Sequence, residues 1–221
     1  MDFKRAVFSA ATALTLSVAM ARGGEVLDFS ALVGAGIQFN GTASSFQFNN
    51  NTGGNQWQIT LENGGTGSAL GLVGRFDGGP WSYGLITPSG PVEIANVNVV
   101  PASTLVITDG AGKLATAHVD WGQVSTYLSS GGLNANLTVN LSGLSYSGSN
   151  PDLLTFFSGP AGEANVSFQF IPGQDLNGLT GGTGPYTTSF SGSLSAVPEP
   201  TSILLLGLGI VLFGFRSFLK K

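Results

Sequence analysis

Apolar and polar residues alternate with a period of two along several stretches of the chain. In LNANLTVNLS, residues 133–142, Leu133, Ala135, Leu137, Val139 and Leu141 fall on one side, and Asn134, Asn136, Thr138, Asn140 and Ser142 on the other. In ANVSFQF, residues 164–170, Ala164, Val166, Phe168 and Phe170 oppose Asn165, Ser167 and Gln169. In QWQITLE, residues 56–62, Trp57, Ile59 and Leu61 oppose Gln56, Gln58, Thr60 and Glu62. One apolar face at period two is the pattern of a half-buried antiparallel strand. Further strands are predicted over 45–50, 70–76, 91–100, 103–108, 114–124 and 186–196. The phase shifts at Ile94-Ala95, which predicts a bulge there. Asp77-Gly78-Gly79 and Asp109-Gly110 supply hairpin-type turns, while 49–54 and 181–185 read as loops. No amphipathic helix of useful length is predicted between residues 22 and 194. About ten short strands separated by turns predict an all-β antiparallel β-sandwich.

Composition fits that picture and narrows the chemistry. Only 9% of residues are charged, 42% are hydrophobic, and 34 are glycine, a mixture too apolar for a disordered acidic chain. Residues 22–196 hold three basic side chains, Arg22, Arg75 and Lys113, against ten acidic ones, a net −7. So acidic a body is unsuited to nucleic acid, whose phosphates are bound by Lys and Arg. With no cysteine there is no disulfide, thiolate metal site or Cys nucleophile.

Both ends read as addresses. Lys4 and Arg5 precede an apolar run, Ala6 to Val18, and Ala19-Met20-Ala21 forms a small-x-small cleavage site. These are the three parts of a secretory signal helix over residues 1–21, cut by signal peptidase before Arg22. At the other end, thirteen apolar residues run from Ile203 to Phe215, followed by Arg216, Lys220 and Lys221. As a helix that run spans about 20 Å against a hydrocarbon core of about 30 Å. A transmembrane helix over 201–221 is expected if the flanking residues enter, its basic end on the cytoplasmic side. Pro198 and Pro200 fix their own φ angles and push Val197 and Glu199 away from helix. Residues 195–200 therefore read as an extended stalk between a body of residues 22–194 and the tail.

Val197-Pro198-Glu199-Pro200-Thr201, a Leu/Gly-rich strip with Gly207 and Gly209, and the terminal basic residues resemble a PEP-CTERM sorting domain. One departure is that Arg216 stands apart from Lys220-Lys221, where the family commonly ends in consecutive arginines. The resemblance implies processing by exosortase, a membrane-embedded transpeptidase-like enzyme, with a cut in or beside Pro198-Glu199-Pro200. It also implies a Gram-negative bacterium that makes exopolysaccharide, with the protein passing through the inner membrane to the cell surface or matrix.

Chemical candidates within the body are sparse. His118, the only histidine, shares a strand face with Asp120, but no second His and no Cys exist to complete a zinc or copper site. No G-x-S-x-G, nucleotide loop or calcium loop occurs. Glu62, Asp77, Glu93 and Asp120 are carboxylates available to a glycosidase, which needs two across a cleft. Trp57 and Trp121 fall on apolar faces. Trp81, after Gly78-Gly79-Pro80, and Tyr83 form the candidate platform for stacking a sugar. Asn-x-Ser/Thr matches such as those at Asn40, Asn136, Asn140 and Asn165 follow from composition. The expectation is a non-enzymatic surface or matrix protein, without cofactor or metal, associated with exopolysaccharide. The alternatives are a carbohydrate-binding module or a glycan-active hydrolase.

Overall fold

The computed structural model describes residues 26–98, 103–127 and 135–197. Among the described residues there are fourteen strands: β1 (Val26–Ala31), β2 (Gly36–Asn40), β3 (Ser45–Asn49), β4 (Trp57–Asn63), β5 (Val73–Asp77), β6 (Trp81–Ser82), β7 (Thr87–Ser89), β8 (Val92–Asn96), β9 (Ser103–Thr108), β10 (Leu114–Tyr127), β11 (Ala135–Tyr146), β12 (Ala161–Phe168), β13 (Tyr186–Thr188) and β14 (Phe190–Val197). Two short helices join them, α1 (Pro151–Phe157) and α2 (Leu176–Gly181).

The expected sandwich is corrected to a closed barrel. Eight strands follow one another in the order β11-β12-β14-β1-β4-β5-β9-β10, and β10 pairs back onto β11. Every neighbouring pair in this ring is antiparallel. Closure depends on the two longest strands, β10 with 14 residues and β11 with 12. One side of β10 runs along β11, with irregularities between Thr116 and His118 and between Trp121 and Val124. Its other side serves β9 over Leu114–Val119 and then β8 over Gln123–Tyr127. The first irregularity holds Gly143 at φ 58°, a backbone that favours glycine. Alternation is the same in a sandwich and a barrel, since both bury one face of each strand.

Inward positions fill the lumen. Leu27, Phe29, Trp57, Ile59, Phe76, Leu105, Ile107, Val139, Val166 and Leu194, among others, form one buried cluster. Outward positions are polar, as in the row Gln58–Ser30–Ser191–Ser167–Asn136–Ser125 read across six adjacent strands. That is the reverse of a lipid-facing barrel, whose apolar band lies outside.

Both ends of the barrel are covered. At one end lies a small sheet of order β13-β2-β3-β6. Its inner face carries Ile37, Phe39, Phe46, Phe48 and Trp81, all buried. Phe48 contacts Phe76 of β5, Trp121 of β10 and Phe190 of β14, which are not neighbours in the ring. A single ring that reaches three separated staves lies across the mouth. At the opposite end, α1 buries Leu153, Phe156 and Phe157. Asn150 caps α1 by accepting from the N–H groups of Asp152 and Leu153, with Pro151 opening the helix. This short helix and α2 lie in a region read from sequence as strands and loops alone.

Two further expectations are corrected. No register shift occurs in β8, where Ile94 and Ala95 pair in step with Ser125 and Val124; a register shift does occur between β1 and β4, where Thr60 is the extra residue between Leu61 and Ile59, the partners of Asp28 and Phe29. The phase change in β8 comes from Glu93, which points inward toward α2. The stalk does not begin at 195, because Ser195, Ala196 and Val197 belong to β14 and pair with Glu163, Gly162 and Ala161. Among the described residues no helix is long and apolar enough to cross a membrane. The expected signal helix over 1–21 and the expected transmembrane helix over 201–221 fall on residues outside those described, as do Ala19, Ala21, the Pro198-Glu199-Pro200 motif, Arg216, Lys220 and Lys221.

Candidate functional site

Trp81 and Tyr83 do not form an exposed platform. Trp81 is 1% exposed and Tyr83 3%. The Trp81 indole N–H donates to Ser103 Oγ at 2.6 Å, and its ring packs on Phe46 and Trp121. Burial raises the Tyr83 hydroxyl pKa, partly offset by its hydrogen bond with Thr180. Local chemistry explains the correction: β6 is an edge strand of the small sheet, and its inward residue continues the sheet's apolar face.

The carboxylates are likewise separated. Glu62 accepts from the N–H groups of Gly67 and Ala69, so it orders the β4–β5 loop. Glu93 is buried and accepts from the backbone and side-chain nitrogens of Asn177 on α2. Asp77 is held by Arg75 Nε at 2.9 Å, and Asp120 is exposed opposite Asn140. His118 is exposed opposite Ser142 and Thr104 on the outer wall. Among the described residues no three or more His, Asp or Glu side chains are grouped to hold a metal.

A second acidic group, unremarked in the sequence, fastens the α1 end. Asp152 is 1% exposed and accepts from Thr66 N, Ser68 N and Ala69 N, as well as from the Thr66 and Ser68 hydroxyls. Burial works against its charge, but hydrogen bonds from Ser68 and Thr66 outweigh it and hold the carboxyl well below the usual range. Tyr146 links this region to β9: its hydroxyl donates to Asp109 at 2.7 Å and accepts from Asn150 N at 2.9 Å. The Tyr146 hydrogen bond leads the effects that lower the Asp109 pKa. Every acceptor here is engaged with the protein, so these groups hold the fold.

The chemistry open to a ligand lies at the other end. A cleft of about 410 Å³ is lined by Gln47, Phe48, Asn49, Asn50, Gln56, Phe76, Asp77, Gly78, Gly79 and Trp81. Beneath it the rings of Phe48, Phe76 and Trp81 pack on one another and are buried, so the open surface of the cleft is chiefly polar. Its rim is amide. Buried Gln56 takes the place of a missing backbone partner, with Oε1 accepting from Phe76 N at 2.7 Å and Nε2 donating to Phe76 O at 3.1 Å. The same Nε2 donates to Asn50 Oδ1 at 2.9 Å. Gln47 Nε2 donates to Gln38 Oε1 at 2.9 Å and to Asn49 Oδ1 at 3.0 Å. These bonds fix the amides in one sense. Asn49 and Asn50 turn their NH₂ groups outward as donors, and Gln47 keeps its oxygen as an acceptor. Asp77 adds a half-exposed carboxylate at the edge. A polar cleft with mixed donors and acceptors suits a polyhydroxylated ligand.

Trp81, expected as an exposed platform, is instead buried beneath this cleft, and the amides that shape the cleft went unremarked in the sequence. Their signal was present: Gln38, Gln47 and Asn49 alternate with Phe39, Phe46 and Phe48 on two paired strands. A second groove, about 500 Å³, crosses the outer wall at Asp28, Ser30, Thr60, Asn165, Ser191 and Ser193. Its lining carries one side-chain amide, Asn165, where the cleft has four.

The comparisons with known proteins bear on the other part of the chain. The model of the PEP-CTERM protein-sorting motif matches residues 196–221. A PEP-CTERM sorting motif is thus present near the C-terminus, and it supports export and sorting by exosortase. The match covers the tail and the last two residues of β14 alone. No curated protein and no solved structure matches the chain.

Proposed function

We propose that the protein is an exported, exosortase-sorted carbohydrate-binding module without catalytic activity, and that the amide-rimmed cleft takes a neutral glycan of the cell surface or matrix. The observation that carries this reading is the hydrogen-bonded order of the amides of Gln47, Asn49, Asn50 and Gln56 along the cleft, with Gln38 bracing Gln47. Rigid amides present directed donors and acceptors at little entropic cost on binding. The separation of Glu62, Glu93 and Asp120 into different structural roles favours binding over hydrolysis. The sorting motif favours a ligand met outside the cell, exopolysaccharide being the natural candidate.

Glycan-array binding of the full chain, followed by titration of the best neutral oligosaccharide, tests the proposal. Gln47→Ala and Asn50→Ala should each weaken binding about threefold to tenfold, the effect of one lost hydrogen bond. Equal affinity in both variants and the parent would move the site elsewhere. Release of a shortened glycan on prolonged incubation would show a hydrolase instead.

A further inference from the structure

The amide order of the cleft continues beyond its rim. In the small sheet, Thr187 of β13 pairs with Gln38 of β2, and Gln38 pairs with Gln47 of β3. The three residues stand in one row across the strands, on the face opposite buried Ile37, Phe39, Phe46 and Phe48. Their side chains are joined. Gln38 Nε2 donates to Thr187 Oγ1 at 3.3 Å, and Gln47 Nε2 donates to Gln38 Oε1 at 2.9 Å. The row runs from exposed Thr187, on the edge strand of the sheet, to Gln47, which lines the cleft. On the far side of β3, β6 pairs only with Ser45 and Phe46, so the sheet gives way to the cleft at Gln47.

The direction of these bonds leaves each member a group to offer. Thr187 keeps its hydroxyl proton, Gln38 one amide N–H, and Gln47 its carbonyl oxygen. This face of β2 and β3 is uncharged, with Gly36, Gln38 and Asn40 on one strand and Ser45, Gln47 and Asn49 on the other. From Thr187 to Gln47 the row covers two strand spacings, about 10 Å. That is close to the length of two pyranose units in an extended chain. The cleft, about 410 Å³, has room for about two more. We infer that the row Thr187–Gln38–Gln47 is a track that extends the cleft, so that the site takes a run of about four sugars of a neutral linear glycan rather than a single terminal sugar. This inference rests on the carbohydrate-binding reading and specifies its ligand. Directed groups repeated at the strand spacing match a chain whose hydroxyls repeat at a similar length.

Calorimetric titration of the full chain with a size series of the neutral oligosaccharide that binds best on the array, from monosaccharide to hexasaccharide, tests the track. Affinity should rise about tenfold or more from the disaccharide to the tetrasaccharide and then level off. Thr187→Val, at the far end of the row, should weaken the tetrasaccharide about threefold to tenfold and leave the disaccharide unchanged. Thr187 is exposed on a strand, and valine suits a strand, so the variant keeps the fold. Gln47→Ala, inside the cleft, should weaken every length. Affinity that levels off at the disaccharide would overturn the track and leave the cleft reading standing. So would a Thr187→Val variant that binds the tetrasaccharide as the parent does, or that loses equally at every length. Absence of binding at every length would overturn both.

Discussion

The ring of Phe48 stacks on that of Trp121, centroids 5.7 Å apart and planes 22° from parallel. Phe48 belongs to the small sheet and Trp121 to the long strand that closes the barrel. This pair therefore ties the cap to the wall, and it does so directly beneath the cleft. Phe48→Ala should cost about 3–5 kcal/mol, the range for deleting a buried aromatic side chain. Urea denaturation of the full chain checks it. A loss below about 1 kcal/mol would mean that the cap contributes little to the barrel's stability.

Wall glycines are part of the same packing. A Cβ on Gly74 of β5 would stand inside the indole of Trp57, its partner across β4. Gly74→Ala should therefore destabilise by about 1–3 kcal/mol through overpacking. Gly110→Ala, where no atom lies within 4 Å of the new Cβ, is the matched control and should stay within about 0.5 kcal/mol. Thermal unfolding of the two variants side by side gives the answer. Equal midpoints would contradict the position assigned to the Trp57 ring.

Acid should loosen the α1 end. Asp152 and Asp109 both have folded pKa values below their ordinary ones. Each therefore favours the folded state when ionised. That contribution is complete above the unfolded value, about 3.9, and is lost as pH falls through the lower folded values. Stability measured by urea titration should accordingly be level near neutrality and decline below about pH 4. Asp152→Asn should lower stability at pH 7 by about 1–3 kcal/mol, since its NH₂ faces backbone donors. It should also flatten the acid slope. An unchanged slope in this variant would assign the acid sensitivity to other groups.

Much of the wall was legible because inward Leu, Val and Phe alternate with Ser, Thr and Asn. The strand over Ser103–Thr108 and most of those around Trp57, Val139 and Val166 follow directly from that period. Closure was not legible, because it depends on β10 pairing with β8, β9 and β11 at once, a long-range matter invisible to local periodicity. The first two strands were also missed. Val26–Ala31 and Gly36–Asn40 are short, and Val26, Asp28 and Ser30 on the outer face of β1 are only half-buried. Asn150-Pro151-Asp152 carried a helix start that the dominant strand pattern obscured. The glycan platform was misplaced because a Trp after Gly-Gly-Pro reads as exposed, whereas here β6 returns it to the core. The amides of the cleft show in the sequence only as the polar half of an alternation, and their mutual order comes from the pairing of β2 with β3 and from the fold that brings Gln56 to Asn50.

The most direct test of the carbohydrate-binding account is a ¹H–¹⁵N NMR titration of the isotopically labelled full chain with soluble neutral oligosaccharides from the host's own exopolysaccharide. The side-chain NH₂ resonances of Gln47, Asn49 and Asn50 should shift progressively and saturate, while those of Asn140 and Asn165 on the outer wall should not move. Saturable shifts at Asn140 or Asn165 with Gln47, Asn49 and Asn50 unmoved, or no shifts with any oligosaccharide fraction, would contradict it.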